Sequence, residues 1–135
     1  MGLTATAKGL TTETEFNCGY ITYGDFIVEL VRIAYGQQLA ESFFCEAFLR
    51  IEMPQQDIGL WNRVCNPALD LLIFHSDCDG KFSWKECRDI YKAMLPLKSE
   101  MTGHNYGVMK TYNMFDHWKN IFLHCWKHRV TLWYR

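Results

Sequence analysis

Residues 75–86 read HSDCDGKFSWKE, and the way this stretch folds decides how the whole chain is organised. Acidic residues at 77, 79 and 86 surround a glycine at 80, and an apolar helical pattern lies on either side. Upstream, Asn66-Pro67 is a start signal: asparagine serves as N-cap, and proline sits in the first turn, where its missing N–H costs nothing. A helix from Pro67 to Phe74 therefore leads into the stretch. Downstream, Ser83 to Leu95 sets Cys87, Ile90, Tyr91 and Met94 on one face and stops before Pro96. The stretch is expected to be a loop joining two helices.

Helical spacing recurs elsewhere. Phe26, Ile27, Leu30, Ile33 and Ala34 predict a helix from about Asp25 to Tyr35, closed by Gly36. Leu39, Phe43, Phe44, Ala47, Phe48 and Ile51 predict a second, from Gln38 to Glu52, because Pro54 disfavours helical geometry in Met53. After a polar connector from Lys98 to Gly107, residues Asn113 to Arg129 place Met114, Phe115, Trp118, Ile121, Phe122, Cys125 and Trp126 on one side. His117, Asn120, His124, Lys127 and His128 fall on the other, so the last helix is amphipathic. No sustained strand is evident, although Arg129 to Arg135 has the composition of an extended segment. The expected fold class is all-α.

The chain has 135 residues, 49% of them apolar and 21% charged, which fits one folded domain with a real core and excludes disorder. Its net charge of −1 conceals an asymmetry. Residues 1–60 carry eight acids and three bases, whereas residues 110–135 carry five bases and one acid. No block is basic enough to mark a nucleic-acid footprint, so nucleic acid is not an expected partner. The apolar run at residues 71–74 is far too short to cross a bilayer, and no secretory leader pattern follows Met1. Six dispersed cysteines do not form a secreted disulfide framework. An intracellular protein, cytoplasmic or organellar, is expected.

Helix, twelve-residue acidic loop, helix resembles the EF-hand calcium site, in which alternate residues present ligands and a central glycine allows the sharp turn. The resemblance covers residues 67–95. It places ligand positions on His75, Asp77, Asp79, Lys81 (through its carbonyl), Ser83 and Glu86, with Gly80 central and Phe82 at the apolar position. Leu71 and Phe74 match the apolar pair of the entering helix; Ile90, Tyr91 and Met94 match that of the exiting one. The departure is His75, where the family has aspartate. An imidazole offers nitrogen and no charge to a hard cation, which weakens affinity. The loop therefore holds calcium weakly, or it is a retained hand closed by hydrogen bonds.

The resemblance also implies a partner hand, and residues 14–35 supply a degenerate one. Aligning Gly19 with the central glycine places Ile21, Thr22 and Asp25 at the last loop positions, with no acidic ligands before them. The chain then divides into an N-terminal segment (1–18), this degenerate hand, the better hand at 67–95, and a C-terminal amphipathic helix and tail (111–135). Trp118, Trp126 and Trp133 in that tail suggest either a core helix, a plug for the chain's own groove, or an anchor in another subunit. The expected function is protein binding, with weak calcium sensing, or else a calcium-independent structural subunit of a larger assembly.

Other constellations carry less. His117, His124 and His128 have zinc-compatible spacing but lack a fourth ligand, and His75 with Cys78 is weaker still, since alternate loop residues face different ways. No nucleophile, base or paired-carboxylate signature points to an enzyme. MGLTAT at the N-terminus fits the myristoylation pattern, and membrane contact is expected only if Gly2 is acylated.

Overall fold

The computed structural model describes residues 2–10, 16–77, 79–99, 102–105 and 110–135. Six helices carry most of this chain: α1 (Tyr20–Tyr35), α2 (Gln37–Leu49), α3 (Gln55–Val64), α4 (Pro67–Ile73), α5 (Trp84–Met94) and α6 (Met114–His128). Their ends are chemically specified. Asn66 Oδ1 accepts from the N–H groups of Ala68 (2.9 Å) and Leu69 (3.4 Å), ahead of Pro67 in the first turn of α4. Asn113 Oδ1 caps α6 through the N–H of Asp116 at 3.0 Å. Gly36, with φ of +101°, separates α1 from α2, a conformation open to glycine without a side-chain penalty.

The sequence pattern anticipated five of these helices and missed α3. That helix buries only Asp57 and Trp61 and carries Gly59 at its centre; Ile58, Trp61 and Val64 recur at helical spacing, but over too short a run, with Ile58 and Val64 exposed, to stand out. It is held by polar contacts instead: the Asp57 carboxylate accepts from Gln38 Nε2 at 2.6 Å and from the Ser42 hydroxyl, fastening α3 to α2.

Six short strands complete the described chain: β1 (Gly2–Thr6), β2 (Phe16–Gly19), β3 (Gly80–Phe82), β4 (Thr102–Asn105), β5 (Lys110–Asn113) and β6 (Leu132–Tyr134). β6 confirms the extended C-terminal segment; the other five correct the expectation of no sustained strand. Each spans three to five residues, too few for an alternating pattern to stand out, and non-local pairing holds them. Four form an antiparallel sheet in the order β2-β1-β6-β3, while β4, inside the stretch expected to be a connector, pairs separately with β5, which follows that stretch.

The core lies between this sheet and the helices, with α6 at its centre. The Trp118 ring stacks on Phe26 of α1 at 5.5 Å and 11°, and Phe115 meets Phe26 edge-on at 6.0 Å. Phe122 meets Phe82 of β3 at 6.0 Å, and Leu3, Ala5, Leu132 and Tyr134 close the sheet side. The C-terminal amphipathic helix is thus a core helix. Cys87 of α5 and Cys125 of α6 are fully buried, and the neighbouring Cys125 thiol together with burial pushes the Cys87 thiol up. Both act as small hydrophobes. Among the described residues, no helix is long and apolar enough to cross a membrane.

Candidate functional site

Helices α4 and α5 deliver the 75–86 stretch as a turn, and the start of α5 fixes its far end. The Ser83 hydroxyl accepts from the Glu86 N–H at 3.1 Å, while Glu86 Oε1 accepts from the Ser83 N–H at 2.8 Å. This reciprocal capping box satisfies two otherwise orphaned donors of the helix. The ninth and twelfth loop positions therefore hold the helix end together.

Gly80 has φ of +114°, so the chain reverses there as the spacing required. The space above it is filled. A Cβ at position 80 would stand 2.8 Å from His75 Cε1 and 3.0 Å from His75 Nε2. The imidazole lies against Phe82 at 4.1 Å and edge-on to Tyr134 at 5.0 Å. Its Nδ1 is 2.9 Å from the Ser76 carbonyl; a carbonyl only accepts, so Nδ1 is the donor. His75 is thus packed as an aromatic side chain.

The remaining positions differ in exposure. Asp77 is half-buried and Asp79 exposed, and the Asp79 N–H donates to the Ser76 hydroxyl at 3.4 Å. Lys81 belongs to β3, and its ammonium lies 5.3 Å from the centre of the Trp133 ring. Cys78 lies outside the described residues. Among the described residues, no three His, Cys, Asp or Glu side chains converge as a metal-holding group.

The loop's ladder partner also differs from expectation. β3 pairs with β6 in the register Gly80↔Tyr134, Lys81↔Trp133 and Phe82↔Leu132, while β2 pairs with β1. Two strands thus separate the two segments expected to pair directly. The degenerate hand expected at 14–35 is described only in part. Its residues 14 and 15 lie outside the described residues, and Ile21 and Thr22, expected before a helix starting at about Asp25, are already inside α1, which begins at Tyr20. The ladder that β1 and β2 form through Gly2↔Gly19 occupies the backbone where that loop would turn.

No protein-family model, curated protein or solved structure matches the chain. Its chemistry has to be read from its own side chains.

On the entering helix, the apolar pair falls differently from the family register. Leu69, Leu72 and Ile73 are buried, whereas Leu71 is 38% and Phe74 62% exposed. Phe74 packs on Trp61 at 5.5 Å and on Phe43 at 6.1 Å. It borders an open cleft of about 270 Å³ with Met53, Ile58 and Trp61, rimmed by Glu46 and Asp70. Asp70 is fixed there by the Tyr35 hydroxyl at 2.6 Å and the Trp61 indole N–H at 3.2 Å; burial and this hydrogen bond push the Tyr35 phenol up. Sequence reading missed this cleft because Trp61 and Ile58 come from the unread helix α3. Two neighbouring α2 rings, Phe44 and Phe48, contact each other at 5.2 Å and stay exposed.

The histidines of α6 do not form a centre. His124 and His128 lie 4.4 Å apart, but His124 Nε2 is 3.0 Å from the Lys8 carbonyl and so holds the N-terminal loop. His117 is half-buried rather than solvated, and burial lowers its pKa. Gly2 begins β1 and pairs with Gly19, so the segment of the acylation pattern is built into the sheet.

Proposed function

We propose that this chain is a protein-binding module that works as a structural subunit, with its acidic turn held shut by its own side chains rather than by an ion. The observation that carries this reading is His75 packed over Gly80 between Phe82 and Tyr134. A first ligand position filled by a stacked ring, and a last one bound in a capping box, leave the turn ordered without metal. The cleft beside Phe74 supplies a place for a partner, since exposed apolar surface with a polar rim is characteristic of contact sites. Its rim carboxylates favour a segment with apolar and basic side chains. The test is recovery of the tagged chain from its native cells with a stoichiometric partner. That partner should survive chelator washes and be lost from the Phe74→Ser and Ile58→Ser variants; loss on chelation alone would overturn the reading.

A second reading, weak calcium sensing, draws on one observation. Asp77, Asp79 and Glu86 flank a positive-φ glycine between two helices, and a swing of the His75 ring would free the first position. An ion would then tilt α4 against α5. Calcium-dependent change in Trp84 fluorescence, absent in Glu86→Gln, is the outcome this reading expects.

A further inference from the structure

Two basic stretches far apart in sequence meet on one face. Arg129, from the end of α6, lies 5.3 Å from the centre of the Trp84 ring, where Lys85 (5.6 Å) and Arg88 (5.8 Å) of α5 also gather. Lys92 of α5 lies 5.3 Å from the Trp126 ring. On the adjoining strands, Lys81 and Arg135 each lie 5.3 Å from the Trp133 ring. These contacts link α5, the end of α6, β3 and β6 into one ridge of cations laid on indoles.

Lys81, Lys85, Lys92, Arg129 and Arg135 are exposed. Among the described residues, Arg88 is the one cation of this ridge in an ion pair, with Asp89 at 2.9 Å. Glu86 and Asp89 of α5 offset part of this charge, leaving six cations, counting Arg88, against these two carboxylates. The ridge therefore presents a surplus of positive charge, and the asymmetry along the sequence becomes an asymmetry in space.

We infer that this ridge is a docking surface for an acidic peptide segment of a partner protein, separate from the Phe74 cleft and independent of the reading proposed for it. Charge complementarity fixes the sign of the occupant, and three features fix its class. The indole faces are already covered by ammonium and guanidinium groups, so they are not free platforms for the base stacking that single-stranded nucleic acid uses. Large apolar side chains available to enter a lipid surface are few along the ridge: Trp133 is 38% exposed, and Trp84 and Trp126 are half-buried beneath their cations. Guanidinium groups match carboxylates as two-pronged donors, and side chains already resting on rings lose less freedom when they bind.

The experiment uses the full chain and a short fluorescent peptide of alternating Glu and Asp, read by anisotropy across a salt series. Binding should weaken with salt and fall about fivefold in Lys85→Gln/Arg129→Gln, since each exposed ion pair contributes modestly. Lys81→Gln/Arg135→Gln, at the other end of the ridge, should show a similar loss, and Arg32→Gln/Arg63→Gln, away from it, none. Thermal melts confirm that each variant is folded. Equal affinity of wild type and both ridge variants would overturn the inference. So would tighter binding of an oligothymidylate, or of vesicles containing phosphatidylserine, than of the peptide. Phe74→Ser should leave peptide binding unchanged, which keeps failure here distinguishable from failure of the cleft.

Discussion

Replacing Gly80 with alanine should cost this protein a large part of its stability, and the cost can be divided into two sources. The backbone at φ +114° is a conformation that residues with a Cβ rarely adopt, which amounts to about 1–3 kcal/mol. The added methyl also meets the His75 ring at 2.8 Å. Moving that ring away from Phe82 and Tyr134 forfeits two aromatic contacts of about 0.5–1.5 kcal/mol each. Together these give roughly 2–6 kcal/mol against a typical domain stability of about 5–15 kcal/mol. The melting temperature should fall by about 10 °C, at a few degrees per kcal/mol for a domain of this size. Urea denaturation followed by circular dichroism, with chelator present, measures the loss. A double-mutant cycle with His75→Ala then separates the sources. In the absence of the ring only the backbone cost remains, so the two substitutions should couple by about 1 kcal/mol. A Gly80→Ala loss under about 0.5 kcal/mol, or no coupling, would refute the packed arrangement, because both are far below the effects just derived.

The other predictions use the same denaturation assay. Ser83→Ala removes the α5 cap and should cost about 1 kcal/mol, with Glu86→Ala having a similar effect through the other half of the box. Leu132→Ala, at a fully buried position in β6, should cost about 2–5 kcal/mol, whereas a dispensable C-terminal strand would show almost none. Asp57→Ala should cost about 1–3 kcal/mol by leaving the Gln38 amide and Ser42 hydroxyl without their acceptor. His117 has its pKa lowered by burial, so the unfolded chain binds its proton first. Its contribution is intact above the ordinary histidine pKa of about 6.5 and is lost as pH falls towards the lowered folded value. Acidification from neutral should therefore destabilise the wild type more than His117→Asn.

The parts of this fold that could be read from sequence are those specified locally. Asn66-Pro67 announces the start of α4, and its cap is present; Ser83 and Glu86, read as ligands, instead form the capping box of α5. Gly80 was legible as a turn because its neighbours on both sides have helical period. The parts that stayed hidden depend on partners distant in the chain. β1 and β6 pair from opposite ends of the chain, and β6 pairs in turn with β3 from its middle. The apolar register of α4 was assigned to Leu71 and Phe74 by analogy, but the side of the helix facing α1 is set by tertiary packing, and that buries Leu69, Leu72 and Ile73 instead. His75 was weighed as a poor ligand; nothing near it in sequence revealed that Tyr134 would stand against its ring. The basic ridge was invisible to charge counting by blocks, since residues 61–109 carry six acids and six bases and only the fold brings Arg129 over Trp84.

Calcium titration by calorimetry, paired with melts in calcium and in chelator, tests the central claim most directly. A turn held by His75, Ser83 and Glu86 should show no stoichiometric heat and the same melting temperature in both conditions. Saturable binding of one calcium per chain at submillimolar concentration would contradict it. Bound at about ten times its dissociation constant, such an ion would add about 1.4 kcal/mol and raise the melting temperature by several degrees.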